Sequence, residues 1–262
     1  MSLDNETLDR CARLLRDAER DVREVSKLTD TYPELDVADA YRIQQRLCAL
    51  KQAEGVRIVG MKMGLTSHAK MQQMGVDTPI YGFLGSDNAV DDGAAVDTRV
   101  LIHPKVEAEI AFVMRDALRG PGCTASDVLA ATGYVVPAIE LIDSRYENFR
   151  FDLPSVIADN TSASRYVLGS RPSDPATLDL QTLGVVMEKN GQVAEVGAGA
   201  AVLGDPAAAV AMLVNMLSEH GQPLEAGAVV LSGAITAAIA VQPGDNVLVR
   251  GDGIGTVGMR FI

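Results

Sequence analysis

An α+β fold, with a helical N-terminal region and a mostly β body, is what this sequence predicts. Two observations carry that reading. Over the first fifty-odd positions apolar residues recur at three- and four-residue steps, with Leu8, Cys11, Ala12, Leu15 and Ala18 separated by Arg and Asp. From Val56 the texture changes to short apolar runs broken by glycines. The 262 residues are enough for one large domain or two small ones around a substantial core. No repeat, low-complexity linker or internal charge block divides them.

The elements follow in order. The first helix is broken by TDTYP, residues 29–33. DVADAYRIQQRLCALKQAEG, residues 36–55, is a second amphipathic helix with Asp36 as N-cap and Gly55 as stop. Strand-like runs come next: RIVGMKMG, KVEAEIAFV, YVVPAIELID, SRYVLG, LGVVMEKNGQVAEVG, AGAVVLSG, NVLVRGDG and GTVGMRFI. Within them Asn190-Gly191 is the strongest hairpin signal. DPAAAVAMLVNMLSEHG, residues 205–221, is a helix capped by Asp205, opened by Pro206 and stopped by Gly221. The division expected is a helical region over 1–75, which contributes the strand around Lys62, and a β-rich catalytic domain over 76–262.

Composition narrows the function. A formal net charge of -12 gives no electrostatic footprint for nucleic acid and opposes binding to anionic lipid. An anionic small molecule would need a metal or a few placed cations. No apolar run is read as approaching the ~18 residues of a membrane span. The charged N-terminus, MSLDNETLDRCARLLRDAERD, has no apolar signal-peptide core. Cys11, Cys48 and Cys123 form neither a zinc pattern nor a disulfide framework and fit a reducing cytoplasm.

Three stretches stand out chemically. In KVEAEIAFV, strand alternation puts Glu107 and Glu109 on one face and Val106, Ala108 and Ile110 on the other. The pair is either a solvated polar edge or two carboxylates aimed at one cation. In YVVPAIELID, Glu140 shares a face with Val136, Ala138 and Ile142, a costly place for a carboxylate unless it is paired or ligates a metal. Arg145 or a nearby lysine would supply the pairing. With no Cys/His cluster beside them, three carboxylates suit a hard ion, Mg²⁺ or Mn²⁺, better than zinc. Lys62, amid Ile58, Val59, Met61 and Met63, is either a snorkelling surface residue or a cation held at an active site.

Other motifs fail. GDGIGTVG is followed by MRFI rather than a helix, so it reads as a tight β-turn and not a dinucleotide loop. EVGAGAAVLG has Val202 where that fingerprint needs glycine, and neither a GxSxG elbow nor HExxH occurs. His68, His103 and His220 are scattered and read as surface or capping residues, the first two lying near the stretches of interest.

KMGLTS, KVEAEIAFV, AIELIDSR, ADNTS and GAGAAVLGDP, in this order over nearly the whole chain, resemble the 2-oxopent-4-enoate hydratase and 4-oxalocrotonate decarboxylase family of the fumarylacetoacetate-hydrolase superfamily. The resemblance implies a mixed β-roll core with flanking helices and a divalent metal, Mg²⁺ or Mn²⁺, on Glu107, Glu109 and Glu140. It makes Lys62 the active-site lysine. Leu65 (through its backbone), Ser162 and Thr236 become substrate contacts. Arg145 is assigned either the distal carboxylate of a small dicarboxylate substrate or a structural pairing with Asp143. The hydratases of the family carry an acid where GVDTPIYGFL has Ile80; an acid there would position water, and isoleucine excludes it. DSRYENFRFDL also departs from the hydratase pattern. Both departures resemble the decarboxylase branch, which implies loss of CO2 from 2-oxohex-3-enedioate in the meta-cleavage catabolism of aromatic compounds. A homologous hydratase is the implied partner. The alternatives are a hydratase and a non-catalytic subunit whose metal only holds the fold.

Overall fold

The computed structural model describes residues 2–67, 71, 72 and 75–262, so His68 lies outside the described residues. Helix α1 spans Asn5–Arg20, with the Asp4 carboxylate accepting from the Thr7 amide. Its stripe of Leu8, Cys11, Ala12, Leu15 and Ala18 is buried. After the single turn α2, Leu28–Thr31, helix α3 runs over Val37–Ala53. Asp36 caps it through the Asp39 amide, and Gly55 leaves it with φ +94°, a conformation that favours glycine. The two long helices share one apolar cluster with Ile80, Phe83, Tyr146, Val156 and Ile157, which joins them to the β body. Across that seam Gln44 Nε2 donates to the carbonyls of Tyr81 and Ile157.

Lys51, almost wholly buried, is 2.8 Å from Glu19, whose other oxygen meets Arg16 at 2.8 Å. Burial acts to raise Glu19, but the charges of Lys51, Arg145 and Arg16 bring it down from its ordinary 4.5 to about 2. A carboxylate held low in the folded state contributes stability in full above its unfolded value and loses it as pH falls. Thermal melts of Glu19→Gln are therefore expected to show a shallower loss of stability than wild type between pH 4.5 and about 2. An unchanged acid limb would remove this carboxylate from the account.

Thirteen strands build two sheets among the described residues. They are β1 Ile58–Gly64, β2 Ile80–Gly85, β3 Ala89–Val90, β4 Ala95–Val96, β5 Lys105–Met114, β6 Thr132–Ile142, β7 Ala163–Leu168, β8 Gly184–Lys189, β9 Gln192–Ala198, β10 Val229–Leu231, β11 Ile239–Ala240, β12 Asn246–Gly251 and β13 Gly255–Phe261. The larger sheet is ordered β2-β1-β10-β5-β6-β7-β3, with β11 also on β5; the smaller is β4-β13-β12-β8-β9. Both mix parallel and antiparallel pairs. Asn190 and Gly191 close the β8–β9 hairpin with φ +55° and +76°, the two positive values of a type I′ turn. GDGIGTVG forms the β12–β13 turn, as its sequence predicts.

The strand that the N-terminal region contributes is embedded in the β body. Strand β1 pairs with β10 on one side and β2 on the other, so the strand that carries Lys62 is internal to the larger sheet. Gly60 is required there, because a Cβ would stand 1.9 Å from the Val229 carbonyl oxygen. The short helices α4, Ala125–Ala131, and α5, Leu153–Ala158, flank the sheets, and α6, Pro206–Glu219, follows its Asp205 cap. Residues 199–219 correct one expectation: by length and composition they are apolar enough to cross a membrane. In the fold, α6 instead buries Ala207, Val210, Leu213, Val214 and Leu217 in the main core.

Candidate active site

Strands β5 and β6 run antiparallel with Lys105 opposite Ile142, Glu107 opposite Glu140 and Glu109 opposite Ala138. Alternation sends Val106, Ala108 and Ile110 into the main core and leaves the three glutamates on the other face. Glu107 is 7 % exposed and Glu109 and Glu140 are each 1 % exposed, which rules out the solvated-edge reading. One oxygen from each carboxylate lies within 4.8 Å of the others.

Among the described residues, Glu109 and Glu140 have few hydrogen-bond donors. Glu109 Oε2 accepts from the Gly233 amide at 2.7 Å, while its Oε1 and Glu140 Oε2 are buried without a hydrogen-bond donor among the described residues. Gly233 has φ +118°, and a side chain there would collide with Thr66. Burial, then the Glu140 charge, push Glu109 well above the usual carboxylate range. Burial raises Glu140 too, against the opposing charge of Lys62. Orphaned oxygens, an all-oxygen donor set and close spacing fit a hard divalent cation.

Lys62 is 2 % exposed, so the snorkelling alternative falls away. Its Nζ lies 3.0 Å from Glu140 Oε1 and donates to the Thr161 carbonyl at 3.1 Å. That carbonyl belongs to a turn in which Asn160, Thr161 and Ser162 all have positive φ, 49°, 55° and 57°. Non-glycine residues stay in that region only when their surroundings impose it. Here the Asn160 side chain exchanges two hydrogen bonds with the Phe83 backbone, and Thr161 Oγ1 donates to the Tyr81 carbonyl. Ser162 Oγ is buried with no partner among the described residues.

Arg145 corrects a sequence expectation. It pairs with Asp159, not with the Asp143 carboxylate. Its guanidinium also donates to the carbonyls of Asp143, Ala163 and Asp159, which engages four of its five N–H groups. Asp143 instead accepts from the amides of Ile102 and His103. The Thr236 hydroxyl accepts from the Ala108 amide and braces β5 between the two glutamates.

A cleft of about 340 Å³ opens over the carboxylates. Lys62, Leu65, Ile80, Glu107 and Ser162 line it, whereas Arg145 and Thr236 do not. Larger hollows elsewhere, of 420 and 620 Å³, contain none of the glutamates. The cleft also recruits Lys105, Phe149, Phe151 and Thr161, which the sequence reading passed over. Lys105 had a signal, since it stands two residues before Glu107 and so shares its face. His103 lies near the mouth, 2.5 Å from Glu24 and edge-on to Phe149, and His220 caps α6.

Comparison with known proteins agrees with this geometry. The family description "Fumarylacetoacetate (FAA) hydrolase C-terminal" matches residues 57–262. The chain is 56% identical over 251 residues to a 4-oxalocrotonate decarboxylase of Pseudomonas sp. (strain CF600), covering 96% of this chain and 95% of that one. It is 40% identical over 260 residues to a 2-hydroxyhexa-2,4-dienoate hydratase of Comamonas testosteroni, covering 98% of each. A solved 4-oxalocrotonate decarboxylase from Pseudomonas putida G7, complexed with magnesium and adipate, superposes with a TM-score of 0.98 at 53% identity, over 100% of this chain and 99% of that one. The chain belongs to the fumarylacetoacetate hydrolase family, within its group of 4-oxalocrotonate decarboxylases and related hydratases.

Proposed function

We propose that the chain catalyses metal-dependent decarboxylation of 4-oxalocrotonate (2-oxohex-3-enedioate) to 2-hydroxypenta-2,4-dienoate in the breakdown of aromatic compounds. The observation that carries this reading is a buried three-glutamate centre beneath a cleft whose wall holds Ile80 in place of an acid. The higher identity to decarboxylases than to hydratases supports the same choice.

The C5–C6 bond breaks, C6 leaves as CO2, and its electron pair moves through the C3–C4 double bond to the 2-oxo oxygen, which takes up a proton. Glu107, Glu109 and Glu140 would hold Mg²⁺ or Mn²⁺. When bound, such an ion acts as a Lewis acid at the oxygen where negative charge gathers. Lys62 Nζ, fixed by Glu140 and the Thr161 carbonyl, adds a second positive charge and a donor at the same end of the cleft. Ser162 Oγ, buried and without a partner among the described residues, is available to the 1-carboxylate, beside the Leu65 backbone. Ile80 and Leu65 keep water from the dienol and disfavour a bound carboxylate more than neutral CO2.

Because that dienol ketonises, the homologous hydratase that consumes it is the partner this reading assigns. The two-part organisation, a helical region over 1–75 that contributes the Lys62 strand and a β-rich catalytic domain over 76–262, is retained as a proposal. The free cysteines fit a reducing cytoplasm.

A paired ultraviolet assay tests the function, with 4-oxalocrotonate in one cuvette and fresh 2-hydroxypenta-2,4-dienoate in the other, each with and without EDTA. Loss of the first with CO2 release, abolished by EDTA, is the expected result. Consumption of the second alone would make the protein a hydratase. Activity on neither would leave a non-catalytic subunit, and Glu107→Ala with full turnover would make the metal merely structural.

A further inference from the structure

We infer that Lys105, seated on the face of Phe149 at the mouth of the cleft, is the binding residue for the distal carboxylate of the substrate, and so sets a preference for dicarboxylates over monocarboxylates. The inference rests on the decarboxylase reading and names a subsite of the same cleft.

The β5–β6 face is graded from mouth to base. Lys105 and Ile142 form the outermost pair, Glu107 and Glu140 the next, and Glu109 with Ala138 the innermost. A ligand whose 2-oxo acid end is held at the glutamates, and whose chain runs outward along this face, passes the apolar Ile142 and meets Lys105. Two residues of strand separate Lys105 from Glu107, about 7 Å, comparable to an extended six-carbon diacid. A five-carbon monocarboxylate with the same head leaves the lysine uncontacted.

Lys105 is also placed for this task. Its Nζ stands 3.9 Å from the centre of the Phe149 ring and makes no ion pair among the described residues. Of the described cations lining the cleft, Lys62 is engaged by Glu140 and Thr161, which leaves Lys105. The ring beneath it is held by a constrained backbone: Asn148 and Phe149 both have φ +57°, and the Asn148 amide donates to Glu24. A cation on an aromatic face keeps its outward donors for an incoming carboxylate. Phe151 adds an apolar wall nearby. Arg145, the sequence candidate for this role, does not line the cleft and has four of its five N–H groups engaged by Asp159 and by three carbonyls. Because the contact is made before the carboxylate leaves, it contributes to binding rather than to the rate of bond cleavage.

The test is isothermal titration of the Mg²⁺-loaded protein with 2-oxohexanedioate and 2-oxopentanoate, which share the head and differ in the distal carboxylate. Wild type is expected to favour the diacid by about tenfold or more, the worth of a charge-assisted hydrogen bond. In Lys105→Met this preference collapses through weaker diacid binding alone, and Lys105→Arg retains most of it. In turnover, K105M raises KM about tenfold with kcat changed far less. A preserved preference in K105M, or equal weakening of both probes, would overturn the subsite. Wild type that discriminates the probes yet releases no CO2 from 4-oxalocrotonate would sink the decarboxylase reading and leave the subsite standing. Wild type that binds neither probe would sink both.

Discussion

Replacing Glu109 with glutamine is expected to make the metal-free protein more stable and the enzyme inactive. The two effects have one cause. Without a cation, Glu109 is pushed well above the ordinary carboxylate range by burial and by the Glu140 charge. Its Oε1 has no donor among the described residues. Glutamine removes the ionisable group while its carbonyl oxygen can still accept from the Gly233 amide. Neutral replacement of a badly compensated buried charge is commonly worth about 1–4 kcal/mol, and each kcal/mol moves the Tm of a protein near this size by about 2–4 °C. Metal binding changes in the opposite sense. For wild type, Mg²⁺ at a hundred times its Kd contributes about 2.7 kcal/mol, a rise in Tm of about 5–10 °C. With one anionic ligand of three removed, most of that rise should vanish, and turnover should fall about 10³-fold. Differential scanning fluorimetry with and without Mg²⁺, beside the CO2 assay, reads both. A lower metal-free Tm with an unchanged Mg²⁺ shift would mean that Glu109 serves the fold and not the ion.

How much of this site was legible before the fold was known depended on the range of the interaction. Alternation within one strand placed Glu107 and Glu109 together, and that is a local property of backbone geometry. Local rules also gave the Asp36 and Asp205 caps and the Asn190-Gly191 turn, each of which the structure contains. The same alternation, carried two residues back, would have found Lys105. Other features depend on contacts distant in sequence. Arg145 was paired with Asp143 because the two are neighbours in the chain, yet β6 ends just before them and the fold brings Asp159 to the guanidinium. The hydrogen bond from the Ala108 amide to the Thr236 hydroxyl, across more than 120 residues, was out of reach in the same way. Phe149 and Phe151 carried no periodic signal, since positive φ at residues 148 and 149 removes the stretch from both strand and helix geometry. The parallel pairing of β1 with β10 was equally beyond local rules, because it joins segments more than 160 residues apart.

Lys62→Met is expected to abolish turnover while preserving the metal site, the reverse of the dissociation for Glu109. The ammonium stands 3.0 Å from Glu140 Oε1 in a site where both partners are almost wholly buried. Methionine keeps the length and apolar stem of the side chain and removes the charge and the donor to the Thr161 carbonyl. Metal-free K62M should therefore melt lower than wild type, because Glu140 loses its compensating cation and a buried carbonyl loses its donor. A bound divalent ion can itself neutralise Glu140, and a nearby positive charge opposes that ion's entry. The Mg²⁺-induced rise in Tm should thus persist or grow when Lys62 is removed. Chemistry does not recover with it, since the second positive charge and proton donor at the reacting oxygen are gone. The expected loss in kcat is about 10²–10⁴-fold, the range for a placed acid–base or electrostatic group. If K62M loses the Mg²⁺ shift together with activity, Lys62 acts by supporting the carboxylates. If it turns over normally, the lysine is a structural counter-ion. Opposite responses of two residues joined through Glu140 separate holding the ion from acting on the substrate, which loss of activity in either variant alone would not do.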